Sequence, residues 1–126
     1  MTRKLLIVSL SLLFAIVLYA QDKKEVKLTG YLIDNMCASH HEKDANFGDE
    51  VKEHSVSCAL MPSCEGSGFA VVVDSKLYKL DDAGNKSADE LLHSTQTKKG
   101  VQIAVEGTLD GNVLHVTKLS EVTKTE

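Results

Sequence analysis

The feature that narrows the fold most is a succession of five short runs of β character, with one segment of helical period between the third and the fourth. From Glu25 to Asn35, Val26, Leu28 and Leu32 alternate with Lys27, Thr29 and Ile33, the period-two pattern of a strand, and Gly30 in mid-run predicts a bend or bulge. Phe69 to Val73 is a continuous apolar run rich in β-branched residues; Asp74-Ser75 reads as a tight turn, and Lys76 to Leu80 completes a hairpin. Asp81-Asp82-Ala83-Gly84-Asn85 then breaks the strand. Ser87 with Glu90 forms a capping box, and Ala88, Leu91 and Leu92 give the apolar stripe of a short helix ending by Lys98-Lys99-Gly100. Val101, Ile103 and Val105 resume the alternation, Asp110-Gly111 turns the chain, and Leu114 and Val116 mark a last strand before a polar tail from about Glu121.

This order predicts a mainly β domain: a small five-stranded OB-like Greek-key barrel with one short helix and a long polar insertion after strand 1. An open sheet backed by one helix fits the same pattern, but closure hides edges that so short a sheet would expose. Val26, Leu28, Leu32, Val71, Val73, Val101, Ile103, Val105, Leu114 and Val116 are expected in one core, closed at one end by Leu91 and Leu92.

Arg3 and Lys4, the apolar stretch Leu5 to Leu18, and Leu18-Tyr19-Ala20 ahead of Gln21-Asp22-Lys23-Lys24 read as a cleavable secretory signal over residues 1–20. A spanning helix wants about 20 apolar residues, more than this run offers. Residues 21–126 are then a single exported domain, periplasmic or extracellular, with no stable membrane insertion after cleavage. Losing Arg3 and Lys4 takes the formal charge from −4 to −6, which repels polyanions, and the absence of tryptophan leaves little for bases to stack on. Nucleic acid is not an expected partner.

The chemistry-bearing residues crowd into the insertion, residues 36–68, which has no strand pattern. Val51, His54, Ser55 and Cys58 would share one face of a short helix in its middle, and the sole proline, Pro62, is expected to stop anything helical there. Zinc favours four ligands of thiolate and imidazole type, and Cys37, His54, Cys58 and Cys64 make a Cys3His set, with His40 or His41 as alternates. Met36 and Met61 beside thiolates would also suit copper as Cu(I). Five residues separate Cys58 from Cys64, a wider gap than zinc knuckles use, and no CxxC occurs.

An odd number of cysteines in an oxidising compartment equally allows one disulfide, Cys37 to Cys58 or Cys37 to Cys64, pinning the insertion with about 2–4 kcal/mol. A nucleophilic Cys58 with His54 as base lacks an oxyanion hole and a third orienting group, so no enzyme is expected. The acidic residues Asp34, Glu42, Asp44, Asp49, Glu50 and Glu53 do not follow a calcium-loop spacing and read as a solvated charged loop. His93 and His115 read as surface or edge residues.

Gly30-Tyr31-Leu32-Ile33-Asp34-Asn35-Met36-Cys37, then His54 with Cys58 and Cys64, the Tyr78-Lys79-Leu80-Asp81 strand end and the Val105-Glu106-Gly107-Thr108-Leu109-Asp110-Gly111 hairpin resemble a family of small exported bacterial proteins. That resemblance covers nearly all of residues 21–126 and implies an OB-like barrel with a recurrent cluster of cysteines and a histidine. It brings no activity with it. Two functional expectations stand: a metal-binding domain, or a cofactor-free interaction module that docks on an envelope protein or a small ligand.

Overall fold

The computed structural model describes residues 23–123, so the signal-peptide reading of residues 1–20 and the end of the tail lie outside the described residues. The strands are β1 (Lys24–Asp34), β2 (Phe69–Val73), β3 (Lys76–Leu80), β4 (Gln102–Asp110) and β5 (Val113–Glu121). The helices are α1 (Asn35–His41), α2 (Phe47–Glu50) continued by a 3-10 turn (Val51–Glu53), α3 (Val56–Ala59), α4 (Pro62–Gly66) and α5 (Asp82–Ser94). The chain is mainly β: a five-stranded mixed sheet with a few short helices, ordered β1-β2-β3-β5-β4 and closing back on β1. All pairings are antiparallel except β3 with β5, joined at Lys79↔Val113 and Leu80↔Leu114. No helix among the described residues is long and apolar enough to cross a membrane.

Closure depends on β1 serving two neighbours, β4 from Lys24 to Tyr31 and β2 from Tyr31 to Asp34. Gly30 lies at this changeover, and its role is close approach rather than a bulge: a Cβ there would stand 2.3 Å from the Val72 carbonyl oxygen. The register shift falls instead between Glu106 and Gly107, where β4 meets β5. The β2–β3 turn has positive φ at both Asp74 (48°) and Ser75 (69°), the hand a two-residue hairpin requires.

Alternation along the strands sorts two apolar clusters. Leu32, Val71, Val101, Ile103, Val105 and Leu114 meet Ala88 and Leu92 of α5, with Val26, Leu28, Val73, Leu91 and Val116 packed against them, as the pattern predicts. Between them, on the opposite face, Ile33, Ala70 and Val72 pack against Ala38, Phe47 and Val51 of the insertion. The unbroken apolar run of β2 therefore reflects burial on both faces.

Helix α5 begins at Asp82, five residues before the expected capping box. Asp81 is the N-cap: its carboxylate accepts from Gly84 N at 2.9 Å and also from Val116 N at 3.2 Å, tying the helix start to β5. Asp81 to Asn85, expected as a break, is thus a cap and first turn, because a carboxylate that satisfies a free N–H stabilises a helix start. Gly84 keeps that turn flush on the sheet, since a Cβ would meet Val116 Cγ2 at 2.5 Å.

The insertion also departs from expectation: it forms four short helices and a 3-10 turn rather than one helix. His54 and Ser55 are extended (ψ 123° and 145°), which breaks the expected Val51–Cys58 face. Pro62 starts α4 instead of stopping a helix, because the first helical position has no N–H to satisfy. The segment leaves and returns at one place, with Asn35 N donating to Gly68 O at 2.9 Å and Asn35 Nδ2 to Ser67 O at 2.9 Å. At its far side Val56 N donates to Lys98 O and Gly100 N to His54 O.

Gly100 has φ +65°, and a Cβ there would lie 2.3 Å from Lys52 O. Gly100→Ala should accordingly cost about 2 kcal/mol or more, combining left-handed backbone strain with a clash against an immobile carbonyl. Urea unfolding measures it, and a cost below half that figure would mean that the Lys52 turn yields freely.

Candidate metal centre

The three cysteines share one local construction: each lies three residues after the N-cap of a short helix. Asp34 caps α1 and accepts from Cys37 N at 2.8 Å, while Ser55 caps α3 and accepts from Cys58 N at 3.2 Å. Met61 caps α4 through its backbone, accepting from Cys64 N at 2.9 Å. Capping fixes the first turn and hence the direction in which each sulfur leaves its helix.

Cys37, His54 and Cys58 bring their ligand atoms within 4.8 Å of one another. A second group, Asp34, Cys37 and Cys64, meets the same distance. The two share Cys37, but Cys64 does not join His54 and Cys58 in one four-membered cluster as the Cys3His expectation had it. The cause is placement: Cys64 belongs to α4 and is 6 % exposed, whereas Cys37 and Cys58 are half-buried. All three cysteines are free thiols in the structure. The alternates fall elsewhere, since His40 is exposed and His41 pairs through Nδ1 with Asp44 at 2.9 Å, neither joining the cysteine groups.

The residue that sequence reasoning misplaced is Asp34. Read as part of a solvated loop, it is fully buried at 0 % exposure, the one buried charged side chain among the described residues. One carboxylate oxygen takes the Cys37 N–H; the other stands 2.8 Å from His54 Nε2. Burial pushes its pKa up, yet the His54 and Cys37 hydrogen bonds outweigh that and hold the carboxyl below its ordinary value. The available signal was the spacing Asp34-x-x-Cys37 at a strand end, a capping pattern repeated by Ser55-x-x-Cys58.

With Nε2 engaged by Asp34, Nδ1 is the ring nitrogen left for a metal, the carboxylate–histidine–metal relation found around many bound ions. Burial, then the Asp34 carboxylate and the neighbouring sulfurs, push the Cys37 thiol up to about 12. Without a cation, a thiolate at Cys37 is strongly disfavoured, and a bound metal would relieve that. The same Asp34–His54 pair supplies the third orienting group that a nucleophilic cysteine would need. A nucleophilic Cys58 would use one sulfur, however, whereas the Cys37 sulfur converges with those of both Cys58 and Cys64.

A cleft of about 360 Å³ opens over the Cys37, His54 and Cys58 side chains, walled by Ile33, Phe47 and Val51 and rimmed by His41, Glu50 and Glu53. Outside the insertion, His93 pairs with Glu65 at 3.0 Å and Asp89 at 3.5 Å, and His115 stands 3.5 Å from Asp81, both at the surface as expected. No family model matches the chain, and searches of curated proteins and of solved structures found no significant match.

Proposed function

We propose that this chain is a small exported domain, an OB-like Greek-key barrel of the family its motifs resemble, that binds a transition metal, Zn or Cu, through Cys37, His54 and Cys58, with Cys64 close by. One observation carries the reading: two thiols and an imidazole lie within 4.8 Å of one another, and a fully buried carboxylate engages Nε2 of that imidazole. Soft sulfur with borderline nitrogen selects zinc or copper over magnesium or calcium. The barrel assignment draws on the strand order β1-β2-β3-β5-β4 with a helix between β3 and β4. Non-enzymatic function is part of the proposal, because convergence of the Cys37 sulfur with those of Cys58 and Cys64 suits ligation better than attack by a single thiol.

A disulfide-stapled interaction module is the second reading: no two cysteines stand at disulfide distance, but the Cys37 sulfur lies within 4.8 Å of those of Cys58 and Cys64, so that side-chain movement would be needed to pair it with either. Native mass spectrometry of protein purified without chelator separates the two. A metal-binding domain should carry one metal mass and release all three thiols to titration after chelation and denaturation. A single titratable thiol and no metal mass would establish the stapled module instead.

A further inference from the structure

We propose that the metal occupies the outer group, Cys37, His54 and Cys58, and keeps its fourth coordination position open to the cleft, where a small neutral nitrogen or sulfur donor binds. This rests on the metal-binding reading and deepens it, turning an expected closed Cys3His site into a site with three protein ligands and an exchangeable one.

In a tetrahedral zinc site with Zn–S near 2.3 Å, ligand atoms stand about 3.8 Å apart. Cys37, His54 and Cys58 meet one another within 4.8 Å, so modest side-chain movement closes them on one ion. Cys64 reaches that distance only with Cys37 and Asp34, so recruiting it would require α4 to shift. Yet α4 is pinned at its end by Ser67 Oγ donating to Cys64 O at 2.6 Å and by Asn35 Nδ2 donating to Ser67 O.

Cys37, His54 and Cys58 line the 360 Å³ cleft and Cys64 does not, so a metal on the outer group faces solvent on one side. Three protein ligands and an open position are what distinguish exchange-competent sites from structural ones.

Two thiolates and a neutral imidazole bring a divalent ion to zero net charge, so the site has no excess positive charge for an anion. At the rim Glu50 pairs with His41 and Glu53 with Lys99, which leaves an anion no free cation there, while Ile33, Phe47 and Val51 offer apolar contact. A compact neutral donor such as imidazole or a thioether fits that wall; water takes the position otherwise.

Cobalt(II) is the probe, because its visible bands report coordination number and its thiolate charge-transfer intensity counts sulfurs. Full-length mature protein should bind one cobalt with an intensity that Cys64→Ala leaves unchanged and Cys58→Ala halves, with affinity falling at least ~10-fold in the latter. Imidazole should shift the visible bands of the wild-type complex. The imidazole titration needs no mutant and stands even if Cys64→Ala folds poorly. Loss of one third of the intensity in Cys64→Ala, or bands indifferent to imidazole, would overturn the open position while leaving metal binding intact. Failure of the wild type to bind either cobalt or zinc would overturn the metal reading and this inference together.

Discussion

Asp34→Ala should be among the most damaging single substitutions in this domain, lowering stability by roughly 3 kcal/mol. It removes the α1 cap, worth about 1 kcal/mol, and a charge-assisted hydrogen bond to His54, worth about 1.5–3 kcal/mol. For a domain of this size that corresponds to a fall of roughly 15 °C in melting temperature. Asp34→Asn separates folding from binding. Its amide oxygen can still accept from Cys37 N, but its NH2 group then faces His54 Nε2, which must accept. The imidazole proton is thereby forced onto Nδ1, the nitrogen otherwise free for metal. Asn at position 34 should therefore unfold within a few degrees of the metal-free wild type, yet bind zinc about 10–100-fold more weakly. Calorimetry with competitive chelators reads both quantities; wild-type zinc affinity in this variant would show that Asp34 does not orient His54.

Phe47→Ala is expected to cost about 3–5 kcal/mol, the range for deleting a fully buried aromatic side chain. Phe47 is 1 % exposed and packs with Ile33, Ala38, Val51, Ala70 and Val72, joining the insertion to the outer face of β1 and β2. Its loss removes the apolar reason for α1 and α2 to lie on the sheet, and with it the wall of the cleft beside Cys37 and His54. Hydrogen exchange should show amides of residues 35–66 losing protection before those of β4 and β5. Loss of protection spread evenly over both regions would instead make the two clusters one cooperative unit.

These expectations divide along what local pattern can encode. The strand runs were legible because alternation of apolar residues is imposed by the pleat itself: Val101, Ile103 and Val105 read as a buried face and form one. The start of α5 was misread, since Ser87 and Glu90 match a capping pattern locally, while Asp81 also gains Val116 N across the sheet. The insertion was the least legible segment. Its helices have four to seven residues, too short for an amphipathic period to show, and Phe47 and Val51 acquire a role only when β1 and β2 lie beneath them. Cys37, His54 and Cys58 were named from residue type and clustering alone, whereas Asp34 was passed over because a lone carboxylate after a strand reads as exposed.

By itself, the sequence determined the mainly β character, the approximate strand positions, most of the inner core and the concentration of ligand-type residues between β1 and β2. Period, turn chemistry and composition act over a few neighbouring residues, so they can be read without knowing what lies across space. Only the tertiary structure decided that the sheet closes on itself, that Asp34 is buried against His54, and that Cys64 stands apart from Cys58 although just six positions away in sequence. Each of those depends on where separate elements meet: α4 starts anew at Pro62, and a side chain's burial or partner is set by residues 20 or more positions distant, as His54 is from Asp34.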